Sequence, residues 1–190
     1  MRTKDEEKIA ALFKATVKLV NEIGFAASSV SKIAKEAGVS PATLYVYYEN
    51  KEALLVSTYV EIKRKLSRVV LMDFDESRPI RDTLRLVWHN LFDHISNHLD
   101  YFRYMEQFGN SPYTELVDHT ALEHFFEPLF RVIQRGIDEK IIKNVNRDIL
   151  MVFFWYPVMV LVNPRHCKCF EITDRNIEDA FTMAWDAIKF

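Results

Sequence analysis

The chain has 190 residues, 49% of them apolar, and a formal charge of −2, enough for a buried core in one domain or two small ones. It has no charged-then-apolar amino-terminal segment and no 18-residue apolar stretch, which argues against export or membrane spanning and predicts a cytoplasmic protein. Cys167 and Cys169 lie too close to read as a disulfide framework, and only four glycines, six prolines and few β-branched runs point to an all-α fold. The charge is uneven: residues 1–70 carry 12 Lys and Arg against 8 Asp and Glu, while residues 71–190 carry 13 against 19. The positive end would face phosphates and the acidic remainder would be held away from them.

In chain order, the apolar period of Ile9, Leu12, Phe13, Thr16, Val17, Val20 and Ile23 predicts a helix from about Asp5 to Ile23, stopped by Gly24. Ser28 or Ser29 caps a second helix, in which Val30, Ile33, Ala34 and Ala37 share one face and Gly38 supplies the stop. Ser40 followed by Pro41 opens a third helix, with a hydroxyl for the free amides and a proline where no N–H partner is needed. Two short helices around a tight glycine-containing turn make a helix-turn-helix, whose second helix enters the DNA major groove. Outward from that helix would stand Ser40, Pro41, Ala42, Thr43, Tyr45 and Val46, with Leu44 pointing inward.

Asn50 caps a fourth helix reaching about Met72, with Leu54, Ile62, Leu66 and Val69 inward. The aperiodic stretch 73–79 marks a boundary, which gives a DNA-binding domain over 1–50, a linking helix over 51–72 and a second helical domain over 73–190. In the latter, helices are predicted over about 80–98, 101–108, and from Ser111-Pro112 to Ile137 with a kink at Pro128. Asn146 would cap a helix to Val162 kinked at Pro157, and Thr173 would cap the last, with Ile177, Ala180, Phe181, Ala184 and Ile188 inward.

Residues 43–54, TLYVYYENKEAL, resemble the T-L-Y-x-[HY]-[FY]-x-[SN]-K-[ED]-x-L signature of the TetR family of transcriptional regulators, a likeness covering roughly residues 7–60. The resemblance implies phosphate contacts at Ser29, Ser31, Tyr47 and Lys51, a homodimer paired through the last two helices, and a small-molecule pocket in the carboxy-terminal domain. Hydroxyls and a helix amino terminus hold a phosphate oxygen, and a lysine neutralises it. The recognition helix carries no Arg, Asn or Gln, so it would read thymine methyls and groove shape in its double-stranded operator.

Aromatic density beside the two prolines marks Trp88, Tyr101, Tyr104, Phe108, Phe125, Phe126, Phe154 and Trp155 as candidate lining for an apolar or aromatic effector. No motif points to a cofactor, a metal centre or catalysis, since Gly-rich phosphate loops, nucleophile elbows and zinc-hydrolase helices are all missing. The competing readings are a helical interaction module, or a metal- or redox-responsive regulator using His94 and His98 at i, i+4 or His166, Cys167 and Cys169. The sequence as a whole reads as a homodimeric, ligand-responsive repressor.

Overall fold

A computed structural model of the chain describes residues 4–190. Among these the fold is all-α, with no β pairing beyond a single antiparallel bridge between Ile142 and Lys189. Two compact units emerge: residues 1–63 with 100–119, and residues 64–99 with 120–190. The aperiodic stretch 73–79 lies inside the second unit, and α6, defined below, contributes all but its first residue to the first.

The first unit begins with α1 (Lys4–Ala27), which Gly24 interrupts at φ 76°, a left-handed conformation that only glycine adopts without strain. Ile9 and Ile23, expected inward, are instead exposed at either end of the buried α1 face. Ser29 caps α2 (Val30–Glu36), its Oγ accepting from the Lys32 amide, while the buried Ser28 hydroxyl donates to the Gly24 carbonyl. Gly38, at φ 68°, turns the chain, and the Val39 amide donates to the Ala34 carbonyl across the corner. Ser40 then caps α3 (Pro41–Tyr47) by accepting from the Thr43 amide. One core of Leu12, Ala15, Ile33, Ala34, Leu44 and Leu54 binds the three helices to the start of α4 (Lys51–Val70).

α6 (Leu99–Gly109) gives all but its first residue to this same unit. The Tyr104 hydroxyl donates to the Leu55 carbonyl at 2.9 Å, and burial holds that phenol well above its ordinary pKa. Phe25, just past the Gly24 kink, meets Tyr104 and Phe108 edge-on, and Asn21 donates to the Asp100 carbonyl.

In the second unit, α5 (Ile80–Asn97) buries Leu84, Val87, Trp88, Leu91, Phe92 and Ile95. Trp88 is edge-on to Phe154 and Phe181, so its indole sits in an aromatic interior. The long helix expected from 111 to 137 is broken into a 3₁₀ turn at Pro112–Leu116, α7 (His119–Glu123), a second 3₁₀ turn at His124–Phe126 and α8 (Glu127–Asp138). Pro128 does not kink a continuous helix: it occupies the first turn of α8, where its missing N–H costs nothing. Pro157 does the same in α10 (Tyr156–Leu161), which follows α9 (Arg147–Phe154) after a break at Trp155. The last helix, α11 (Asp174–Ile188), is capped by Thr173. Glu178 on α11 accepts from Arg85 at 2.6 Å and lies 3.2 Å from His89, joining α11 to α5.

Two consequences can be measured. Tyr104→Phe leaves a buried Leu55 carbonyl without this donor and should cost about 1–3 kcal/mol in denaturant unfolding, with unchanged helicity; an unaltered midpoint would show that the bond contributes nothing net. His94 has its pKa pushed down to about 4, first by burial and then by the neighbouring His98 and Lys65. Because the unfolded value is near 6.5, protonation favours unfolding, so this contribution is complete above pH 6.5 and lost as pH falls toward 4. His94→Gln should therefore flatten the melting-temperature profile between those pH values, and an equally steep profile in the variant would assign the acid sensitivity elsewhere.

Candidate nucleic-acid interface

The seven residues of α3 form too short a helix to persist alone in water, so the orientation of its outer face depends on its inner one. Leu44 is fully buried in the three-helix core, with Tyr47 and Tyr48 packed against its edge. The opposite side is open: Val46 is 76% exposed and Tyr45 55%, with Pro41 and Ala42 exposed beside them. Ser40 and Thr43 hydroxyls lie 2.9 Å apart, so the first turn presents a linked pair of donors and acceptors at the helix amino terminus. All six outward residues predicted for this helix thus belong to one unit and one surface, Thr43 being half-buried.

The four residues assigned to phosphate by resemblance have different local roles. Ser29 and Ser31 are exposed at the start of α2, where Ser29 already accepts one amide as the cap. The Tyr47 hydroxyl donates to Asp5 Oδ1 at 2.6 Å, and this bond raises its pKa. Lys51, half-buried, donates from Nζ to the Phe25 carbonyl at 2.5 Å and so ties the start of α4 to the end of α1. An ammonium has three donors, so this bond leaves two for another acceptor.

Sequence reasoning did not find Asp5 or Lys32. Asp5 meets Tyr47 across 42 positions, for which the sequence carries no local signal. Lys32 donates to the Ala27 carbonyl at 3.0 Å beside Ser29 and Ser31, and its position on the exposed side of α2 was legible from the helical period.

The candidate effector residues are divided between the units. Tyr101, Tyr104 and Phe108 stand on α6 in the first; Trp88, Phe125, Phe126, Phe154 and Trp155 stand in the second. Trp88, Tyr104, Phe108 and Phe154 are buried, whereas Tyr101, Phe125, Phe126 and Trp155 keep part of their surface free. Phe126 meets Trp155 edge-on at 5.9 Å, and the Arg64 guanidinium lies 5.6 Å from the Phe125 ring centre.

The second unit also carries a groove of about 760 Å³, which none of these eight aromatics lines. Its walls are Val152, Phe153, Tyr156, Met183 and neighbours on α9, α10 and α11, with Met183 76% exposed. Cys169 lies on the same groove. His94 and His98 have ring centres 4.7 Å apart, and no group of three or more His, Cys, Asp or Glu able to hold a metal occurs among the described residues. No helix among the described residues is long and apolar enough to cross a membrane.

Known proteins fall in line with this architecture. The profile of bacterial regulatory proteins of the tetR family matches residues 12–58, and that of the tetracyclin repressor-like C-terminal domain matches residues 79–189. A TetR family transcription regulator from Marinobacter aquaeolei VT8 is similar in structure, with a TM-score of 0.89 and 38% identity over 100% of this chain and 99% of that one. An uncharacterized HTH-type transcriptional regulator of Haemophilus influenzae is 22% identical over 189 residues, the full length of both chains. The fold is also that of FadR from Bacillus subtilis, solved in complex with stearoyl-CoA, with a TM-score of 0.70 and 20% identity over 92% of this chain and 95% of that one. With a helix-turn-helix whose outer face is free and both domains matched, the chain belongs to the TetR family of helix-turn-helix transcriptional regulators.

Proposed function

We infer that the chain is a cytoplasmic homodimeric repressor, without catalytic activity, that leaves its operator when a small apolar or aromatic effector binds. The observation that carries the DNA-binding half is the outer face of α3: Pro41, Ala42, Tyr45 and Val46 stand free of the fold while Leu44 fixes the helix beneath them. A face of this kind, with methyls and one phenol in place of amides and guanidinium groups, suits thymine methyls and groove shape. Ser29, Ser31, Tyr47 and Lys51 would hold phosphates on either side, setting register without reading sequence.

The second half rests on the α9–α11 groove. Phe153, Tyr156, Val152 and Met183 form an exposed apolar face of the kind a soluble chain covers with a partner. A two-fold pairing there is self-complementary and would present two recognition helices to half-sites roughly 34–36 Å apart. The apolar effector is supported by the FadR fold-mate, which was solved with stearoyl-CoA. Within the second unit, Phe125, Phe126 and Trp155 are the aromatic candidates we assign to it, because their surfaces are not spent on the Trp88–Phe154–Phe181 interior. Tyr101, half-buried on α6, is the corresponding candidate of the first unit.

The central experiment is a gel shift on DNA upstream of the chain's own coding sequence. Lys51→Ala should weaken binding to this DNA and to random DNA alike and lower the salt slope by about one phosphate per subunit. Thr43→Ala and Tyr45→Ala should cost roughly 1–3 kcal/mol on the preferred sequence and little on random DNA. An equal loss on every sequence would reduce both residues to positioning. For the dimer, Phe153→Glu or Met183→Glu should yield a monomer in light scattering with operator binding lost, whereas an intact dimer would move the interface off α9–α11.

A further inference from the structure

Asp5, Glu6 and Glu7 fill the first turn of α1, where negative charge suits the positive end of the helix dipole. The dipole does not explain why Asp5 reaches across to the end of the recognition helix. Its Oδ1 accepts from the Tyr47 hydroxyl at 2.6 Å and lies 3.7 Å from the Lys8 ammonium, so one carboxylate oxygen serves both a phenol and a cation. The three groups belong to one unit, and the carboxylate is the most open of them: the Asp5 side chain is 71% exposed, that of Lys8 33%, and Tyr47 is half-buried.

A phenol beside an ammonium is also what a protein offers a phosphodiester, the hydroxyl donating and the cation neutralising. Tyr47 has one proton to donate, and a phosphate oxygen can only accept. While that proton is given to Asp5, the hydroxyl has none for DNA. The carboxylate also offsets the charge of Lys8 and repels an approaching phosphate. Fold stability is a poor reason to keep such a contact, because an exposed ionic bond contributes little in water. For the same reason it yields to a phosphate brought in by the rest of the interface.

We propose that in the free protein the Asp5 carboxylate occupies the place of a DNA phosphate on Tyr47 and Lys8, and that DNA displaces it on binding. Asp5 thereby lowers affinity for preferred and random sequences alike, and Lys8 joins the residues that hold the backbone. This rests on the DNA-binding reading above and adds an internal competitor to it.

The test is equilibrium binding of the full-length protein, at low salt, to labelled random-sequence duplex DNA and to DNA upstream of its own coding sequence. Asp5→Ala should tighten binding to both by at least about threefold, and Asp5→Asn, which drops the charge but keeps an acceptor, should fall between it and wild type. Glu7→Gln removes one charge from the same turn without freeing Tyr47 and should gain less than about half as much. In a background of Tyr47→Phe with Lys8→Ala, Asp5→Ala should likewise lose more than about half of its gain. Asp5→Ala should melt close to wild type, and should it fail to fold, Asp5→Asn carries the same comparisons.

Unchanged or weaker DNA binding by the folded Asp5 variants, an equal gain in Glu7→Gln, or an undiminished gain in the Tyr47→Phe, Lys8→Ala background would overturn the proposal. Binding by the wild type with no gain in the Asp5 variants sinks this inference alone. Failure of the wild type to bind either DNA sinks the DNA-binding reading, and this inference with it.

Discussion

A seven-residue recognition helix has almost no stability of its own, because the nucleation cost of a helix is not recovered in two turns. Whatever α3 presents to DNA is therefore set by what grips it from behind. That grip is the burial of Leu44 in one cluster with Leu12 of α1, Ile33 and Ala34 of α2, and Leu54 of α4. Gly38 and the two serine caps fix the angle at which α3 arrives, and the core fixes its rotation. The consequence is a division of labour along one helix: Leu44 must be apolar and well packed, while Tyr45 and Val46 beside it stay exposed.

The same core is not closed by α1, α2 and α3 alone. Leu54 belongs to α4, whose first residue reaches back to the Phe25 carbonyl and whose next turn supplies the carbonyl that Tyr104 binds. Phe25 in turn leans on Tyr104 and Phe108. Phe25 follows directly on the kink that Gly24 makes in α1. Thus α6, far away in sequence, is built into the DNA-binding unit by one buried hydrogen bond and a group of edge-on rings.

Much of this was legible in the sequence wherever the cause was local. Ser29, Ser40, Asn50 and Thr173 cap helices because a short hydroxyl or amide side chain precedes an apolar period, and that information lies within four residues. Pro128 and Pro157 were legible only as interruptions. A proline is compatible with a kink in a helix or with the first turn of a new one, and the breaks at Phe126 and Trp155 decide for the latter. The aromatic candidates show the limit of composition as a guide. Trp88 and Phe154 share an interior, Phe126 and Trp155 share a contact, and Tyr104 and Phe108 serve a different unit, distinctions made by long-range packing that periodicity does not encode. The bonds from Tyr47 to Asp5 and from Lys51 to Phe25 were likewise out of reach, spanning 42 and 26 positions.

Regulation of such a molecule needs little energy. A tenfold change in operator affinity corresponds to about 1.4 kcal/mol of differential effector binding, and equal affinity for both states changes nothing. That is the scale of a single buried hydrogen bond such as the one from Tyr104 to the Leu55 carbonyl. α4 runs without interruption from the three-helix core at Leu54, past Tyr59 and Lys63, into the second unit at Leu66 and Val70. Leu54 and Leu55 are adjacent on α4, so the residue that completes the core beneath α3 neighbours the one whose carbonyl Tyr104 binds.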